Sequence, residues 1–175
     1  EGRGGNPWGV TVTEFPQGVS NPPVSAAGAA AASGGPHCTP VVSYDGIIVA
    51  ANLLNGNHQK PNDPGIPTVV FTIPPLAAVG LSESEARKQT LKLRVQKEIT
   101  SSWSSSRRVG EKYSGCKVLV EESTDRILGA HMLGSEAEEV INLFGLAMRL
   151  GMRATDLKHM LFAYPTRGSD VVHML

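Results

Sequence analysis

The chain has 175 residues, enough to bury a sizeable core, and 41% of them are hydrophobic, an ordinary composition for a soluble protein. Its 16 basic and 16 acidic residues cancel, so net charge gives no attraction for nucleic acid or for an anionic membrane. No run approaches the roughly 20 apolar residues of a spanning helix. We therefore expect a cytoplasmic protein without nucleic-acid or membrane partners. Because the first residue is Glu1, we also consider a fragment of a longer protein.

The first part of the chain, residues 1–62, is rich in Gly, Ala, Pro and Asn. Residues 9–13 alternate between apolar and polar as a short strand does, and residues 24–28 are a second candidate strand. A helix follows, for which Thr39 is a suitable N-cap and Pro40 fits the first turn.

This helix is apolar enough to be buried, and we expect it to run to Leu54, because the Asn-Gly pair that follows is typical of a helix end. The next segment, residues 57–65, is polar and contains Pro and Gly. Such a composition marks a linker. We therefore predict two domains, residues 1–62 and residues 63–175.

The second domain alternates between strand and helix signals. Ser82-x-x-Glu85 is a capping box, which predicts a short helix to about Lys88. A polar excursion occupies residues 100–115. The strand candidates, from their β-branched or alternating patterns, are residues 68–72, 91–99, 117–120 and 126–133.

The clearest helix candidate lies between a second capping box, Ser135-x-x-Glu138, and Gly151, a residue type suited to follow a helix end. Its apolar residues cover roughly half of the circumference, whereas a surface helix needs a stripe only a little over 100° wide. They are Ala137, Val140, Ile141, Leu143, Phe144, Ala147, Met148 and Leu150. Two interpretations stay open: a central core helix, or a helix covered by its own sheet and by another subunit. The order of elements predicts an α+β fold with helices packed on an antiparallel sheet.

Two long segments, Phe71–Glu83 and Ile127–Gly134, and the loop that begins Tyr164-Pro165-Thr166, resemble the class I pyridine nucleotide–disulphide oxidoreductases. This is the flavin-dependent family of glutathione reductase, dihydrolipoamide dehydrogenase and mercuric reductase. The resemblance covers nearly the whole chain. It implies that residues 63–175 form the family's dimerisation domain and that residues 1–62 are the C-terminal fragment of its α/β FAD-binding domain.

The resemblance also implies flavin contacts at Gly28, Ala29, Thr39 and Pro40. Family members carry Gly-Asp where this chain has Gly28-Ala29, and that Asp hydrogen-bonds the ribityl chain of the flavin. Thr39 and Pro40 open a helix whose N-terminal partial positive charge suits a reduced flavin ring. Because Ala29 lacks the acceptor, we expect FAD to bind to a full-length protein only, and to this chain weakly or not at all. NAD(P)H would be used by a domain that this chain does not contain.

The family's catalytic loop reads His-Pro-Thr, in which the His is the acid/base for the substrate thiols and a Glu five residues later orients it. Tyr164 stands in place of that His, and Ser169 in place of the Glu, with Asp170 beside it. The reference pKa of Tyr is about 10, against about 6.5 for His, so Tyr is a poor base at neutral pH. Tyr164 is either an interface residue or a catalytic hydrogen-bond donor, and Asp170 is the second catalytic candidate.

Two cysteines, Cys38 and Cys116, are too far apart in sequence to form the family's redox-active pair, and we expect both to be free thiols. None of the five histidines has metal-ligand spacing, so we expect no metal site. The resemblance thus implies the FAD-contacting and homodimerisation region of an NAD(P)H:disulphide oxidoreductase-like enzyme of cell redox homeostasis, inactive as this chain alone. The alternative is a stand-alone homodimerisation or interaction module without redox activity. In either case we expect a symmetric homodimer, with the helix over residues 135–150 at or beside the interface. Phe144 is our choice of interface residue, and the alternative is that it faces the domain's own core.

Overall fold

The computed structural model describes residues 8–32, 38–62 and 65–175. The chain divides into two compact units, Glu1–Asp63 and Pro64–Leu175. Within the described ranges, no helix has both the length and the apolar character needed to cross a membrane.

The first unit is built on one helix, α1 (Thr39–Asn55), which follows a short 3₁₀ turn at Gly28–Ala30. The N-cap of α1 is Cys38 rather than Thr39, so the helix begins one residue earlier than its cap chemistry predicts. Gly56, with φ of 78°, ends it as expected. The predicted burial is only partly right, because a single stripe of α1 is buried. That stripe consists of Val41, Asp45, Ile48 and Asn52.

The two strands predicted before α1 are wrong. Val10 and Val12 make only isolated bridges, to Ala31 and Gly18 respectively, and Ser25 makes another to Gln17. Sequence alternation marks a surface that suits a strand, but a ladder also needs a partner strand of matching length. The short Gly- and Pro-rich runs of this unit do not provide one among the described residues.

The second unit is an antiparallel five-stranded sheet of order β1-β2-β5-β4-β3. Its strands are β1 (Thr68–Val70), β2 (Leu76–Gly80), β3 (Leu93–Ile99), β4 (Gly115–Glu121) and β5 (Ile127–Leu133). The predicted α+β class, with helices packed on an antiparallel sheet, is confirmed. Strand β2 was not predicted, because its sequence Leu-Ala-Ala-Val-Gly carries little β propensity. Pairing with β1 on one side and β5 on the other holds it in the sheet.

Four short or medium helices connect and cover these strands: α2 (Glu83–Lys88), α3 (Ser104–Arg108), α4 (Ala137–Arg149) and α5 (Ala154–Lys158). The capping box of α2 is confirmed, since Ser82 accepts the amide of Glu85 and the Glu85 carboxylate accepts the amide of Ser82. The helix α3 lies inside the segment predicted to be a polar excursion. A last 3₁₀ helix, Gly168–His173, precedes the C-terminus.

The core of the second unit lies between α4 and the strands β2, β5 and β4. Ile141 and Phe144 on α4 are both 0% exposed. They share one hydrophobic core with buried strand residues: Ala77 and Val79 on β2, Ala130 and Met132 on β5, and Val118 on β4. Gly145 lets Pro67 approach α4, because a Cβ there would stand 2.7 Å from the Pro67 Cγ.

The capping box predicted for α4 is wrong. The helix begins at Ala137, and its N-cap Glu136 has a left-handed backbone with φ of 62° and no side-chain cap bond. Ser135 instead donates its backbone N–H and its hydroxyl to Glu111, at 2.6 and 2.8 Å. The Ser135 hydroxyl, which the capping-box motif assigns to the start of α4, therefore bonds to Glu111 instead.

Phe144 is also a wrong choice for an interface residue, because it lies in the core of its own domain. We expect Phe144→Ala to lower the free energy of unfolding by about 3–5 kcal/mol, the usual loss for a buried Phe. Leu146→Ala on the same helix is the matched control. Leu146 is 56% exposed, and its loss is expected to stay within about 0.5 kcal/mol in the monomer. Urea unfolding followed by circular dichroism measures both, and equal losses would contradict the assignment of Phe144 to the core.

Candidate functional site

Gly28, the first of the predicted flavin contacts, is a close-packing position. Its φ is +55°, and a Cβ would stand 2.4 Å from the Cγ2 of Val42 on α1. Its backbone N–H donates to the Asp45 carboxylate at 3.2 Å. Asp45 is 6% exposed, and its other carboxylate oxygen has no partner among the described residues. Gly28 is therefore required by the packing of this unit, whether or not a flavin lies near it.

The other predicted flavin contacts, Ala29, Thr39 and Pro40, are exposed. Pro40 has no N–H, and the amides of Val41 and Val42 both bond to the Cys38 carbonyl, at 3.1 and 3.2 Å. The first turn of α1 thus has several of its donors already satisfied or missing. Ala29 supplies no side-chain acceptor for a ribityl hydroxyl. An exposed helix end is present, but the described residues are a poor fit to a bound flavin.

Tyr164 lies in a segment of the chain that we call the C-terminal loop, residues 160–169. Its side chain is 80% exposed, and Leu161 in the same loop is 99% exposed. The loop is closed by reciprocal bonds: the Thr166 amide donates to the Ser169 hydroxyl at 3.2 Å, and the Ser169 amide to the Thr166 hydroxyl at 3.1 Å. Ser169, at the position of the family's orienting Glu, therefore shapes the loop.

Asp170 is not placed to orient Tyr164. Its carboxylate accepts the hydroxyl of Ser105 on α3, and its backbone N–H bonds to the Arg167 carbonyl at 3.2 Å. No hydrogen bond joins Tyr164 and Asp170 among the residues that the structure describes. The two catalytic candidates are thus neighbours in sequence with separate environments: Tyr164 faces outward, and Asp170 is half-buried against α3.

Sequence reasoning missed a buried ion pair beneath the C-terminal loop. Arg167 and Glu111 have side chains that are 9% and 6% exposed and approach to 2.8 Å. The Arg167 guanidinium also donates to the hydroxyls of Ser105 and Ser106, at 3.2 and 2.8 Å. Glu111 completes its own set by accepting from Ser135. No sequence signal could have revealed this network, because Arg167 is 56 to 62 positions away from these three partners.

Both cysteines are free, as expected, so the described residues contain no disulphide. Burial raises the pKa of the Cys116 thiol to about 11, which keeps it protonated and unreactive at neutral pH. No cluster of three His, Cys, Asp or Glu side chains suited to a metal ion occurs in the described part of the chain.

Comparison with known proteins assigns the second unit to a family. Residues 66–175 match the family model described as "Pyridine nucleotide-disulphide oxidoreductase, dimerisation domain". This chain belongs to the pyridine nucleotide–disulphide oxidoreductase family. The match covers the whole five-stranded sheet together with α2 to α5 and the C-terminal loop.

Individual relatives agree with this membership. An uncharacterised 19.7 kDa protein in a mercuric resistance operon of Staphylococcus aureus is 48% identical over 95% of this chain and 93% of its own length. A dihydrolipoyl dehydrogenase of S. aureus is 31% identical over 69% of this chain. Of that enzyme the chain spans only 26%, about a quarter of the full length.

Solved structures share the fold. The copper(II) complex of the Escherichia coli HOCl-induced flavoprotein disulphide reductase RclA (C43S mutant) superposes with a TM-score of 0.81 at 26% identity, over 95% of this chain and 37% of that one. LpdA of Mycobacterium tuberculosis superposes with a TM-score of 0.82 over 95% of this chain and 36% of its own, but at 19% identity it shows the fold alone.

The buried ion pair gives a stability prediction. Arg167→Met leaves Glu111 buried without its counter-charge, so we expect the free energy of unfolding to fall by about 3–5 kcal/mol. Arg153→Met is the control, because Arg153 pairs with Asp156 at the surface, where the side chains are 61% and 42% exposed. That change should cost at most about 1 kcal/mol. Chemical unfolding of both variants is the measurement, and similar small losses would show that the Arg167 pair contributes no more than a surface pair.

Proposed function

We propose that this chain is the FAD-contacting and homodimerisation region of a flavin-dependent NAD(P)H:disulphide oxidoreductase-like enzyme. The family membership of residues 66–175 supports the second half of that role. The first unit, Glu1–Asp63, then corresponds to the end of the FAD-binding domain. Both described cysteines are free thiols, which suits a reducing cytoplasm.

The observation that carries the homodimer is an apolar surface on the second unit. Leu146 on α4 and Leu150 at its C-cap are 56% and 68% exposed on the side opposite the core. In the C-terminal loop, Leu161 and Tyr164 are more exposed still, at 99% and 80%. Exposed large apolar side chains mark an interaction surface where they form one contiguous patch.

The C-terminal loop lies next to α4 at one position, Gly168. A Cβ on Gly168 would have the Leu143 Cδ1 at 3.8 Å and the Phe162 Cδ1 at 4.0 Å, so α4 and the loop meet there. Leu146 and Leu150 follow Leu143 along the same helix. A second copy of this chain, related by a twofold axis, would cover the patch with the same residues.

Within a dimer, the exposed Tyr164 is available to the partner subunit, as a hydrogen-bond donor and as an apolar contact. FAD would supply hydride transfer from NAD(P)H to a disulphide in the complete enzyme. This chain's own contribution would be to hold two subunits together and to present the C-terminal loop. The Asp170 carboxylate, bound to Ser105, would fix the base of that loop and would not act on substrate.

The alternative proposal is a homodimerisation or interaction module without redox activity, about the size of one relative. The S. aureus 19.7 kDa protein is matched over 93% of its length, so a relative of about this size exists. The two proposals share the dimer and differ in flavin binding by the parent protein.

For the dimer, we expect Leu146→Glu to raise the dissociation constant at least about a hundredfold, because the charge would be buried twice at a symmetric contact. The fold should be retained, since Leu146 is 56% exposed in the single chain. Leu53→Glu, at an α1 position that is 67% exposed, is the control and should leave the dissociation constant unchanged. Light scattering with circular dichroism separates dissociation from unfolding. A wild-type chain that stays monomeric at tens of micromolar would refute the homodimer for this chain.

For the cofactor, we expect the isolated chain to bind FAD weakly or not at all, because Ala29 offers no acceptor and α1 has satisfied amides at its first turn. Titration of FAD followed by flavin fluorescence measures this. Saturable binding in the micromolar range or tighter would contradict the prediction. Ala29→Asp restores an acceptor, and a gain of about tenfold or more in affinity, 1.4 kcal/mol, would support a flavin contact at this position. An unchanged affinity for FAD in Ala29→Asp would favour the interaction module without redox activity.

A further inference from the structure

The C-terminal loop combines the most exposed aromatic residue of the second unit with its most buried cation. Tyr164 is 80% exposed, whereas Arg167, three residues later, is 8% exposed. The loop therefore has an outer end, at Leu161 and Tyr164, and an inner end at Arg167. Its regular secondary structure begins only at Gly168.

The inner end is held by polar contacts to two other segments of the unit. Nη1 of Arg167 bonds to Ser105 and Ser106 on α3, and Nη2 to Glu111 after that helix. A planar guanidinium makes such contacts in a fixed fork geometry, so the contacts determine its orientation as well as its position. Glu111 is in turn held by Ser135, in the turn between β5 and α4.

A second contact closes the arrangement. Ser105 accepts a hydrogen bond from Arg167 and donates its own hydroxyl to Asp170. Arg167 and Asp170, on either side of Gly168, thus both bond to Ser105 on α3. Thr166 and Ser169, whose reciprocal bonds shape the loop, are next in sequence to Arg167 and Asp170, respectively.

We propose that Arg167 is a positioning residue, whose buried contacts with Glu111, Ser105 and Ser106 hold Tyr164 in place for a second copy of this chain. The contact of Tyr164 with a second copy rests on the proposed homodimer, whereas the contacts that position the loop lie within one chain. Apolar contact also holds this segment, at Gly168 near Phe162 and Leu143, and at the buried Val171 that follows. The contacts of Arg167 with α3 and Glu111 lie closer in sequence to Tyr164 than either of these.

The test removes both charges together, so that neither stays buried without a partner. In Glu111→Gln/Arg167→Met, the Gln side chain still accepts from Ser135, and the fold should persist. Backbone ¹⁵N relaxation then reports the order of the loop at Tyr164, Thr166 and Gly168. In the wild type we expect order parameters near about 0.85, and in the double variant values below about 0.6 at these amides.

Three measurements accompany this result. The amides of Val140 and Ile141 in α4 should keep their order in the double variant, which shows that the loss is local. Arg153→Met, the same substitution at a surface pair, should leave the loop ordered. The dimer dissociation constant should rise about tenfold in the double variant.

An ordered loop in a folded double variant would overturn the proposal, whatever the oligomeric state. If the double variant does not fold, Ser106→Ala decides, since it removes the 2.8 Å bond to Arg167 and must lower the order of the same amides; unchanged values overturn the proposal. A wild-type chain that is monomeric with an ordered loop would refute the homodimer alone. A loop that loosens while the dimer constant stays unchanged would also overturn the role of Arg167 toward a second copy.

Discussion

Burial of Ile141 and Phe144 between α4 and the middle of the sheet is the interaction on which the second unit depends. Both residues are fully buried, against β2, β5 and β4. The contact sets which face of α4 is left outside, because residues three and four positions apart share a face of a helix. Leu146 and Leu150 are exposed for this reason. The same packing that forms the core therefore produces the surface proposed to meet a second copy.

The turn before α4 shows how tertiary contacts replace a local motif. Ser135 has the spacing of a capping residue, yet it bonds to Glu111, and the N-cap of α4 is Glu136, which has a left-handed backbone. Glu111 is held in turn by Arg167 from the C-terminal loop. A buried carboxylate must be neutralised and hydrogen-bonded. This requirement brings α3, the β5–α4 turn and the C-terminal loop together in one place.

In the first unit, the residues that resemble a flavin site also have a role in packing. Gly28 is held by Asp45 and by the close approach of Val42. Ala29 contributes no polar side chain, and the amides of Val41 and Val42 are paired. The features that resemble a flavin site are thus those that the packing of α1 also requires. Ala29 leaves this unit without the carboxylate that the resemblance implies for the flavin's ribityl chain.

Sequence by itself determined the class of the second unit, its family and most of its strands. Residues such as Val95, Val118 and Ile127 lie in alternating or β-branched runs, and the capping box at Ser82 is a purely local signal, so both could be read without the fold. The wide apolar stripe of α4 was equally visible, but its division between core and surface was not: only the packed sheet shows that Phe144 lies inside and Leu146 outside. Strand β2 and the Arg167–Glu111 pair depended entirely on tertiary structure. The β5 partner of β2 and the partners of Arg167 are far away in the chain, and hydrogen bonding and charge neutralisation between distant residues leave no periodic trace in the sequence.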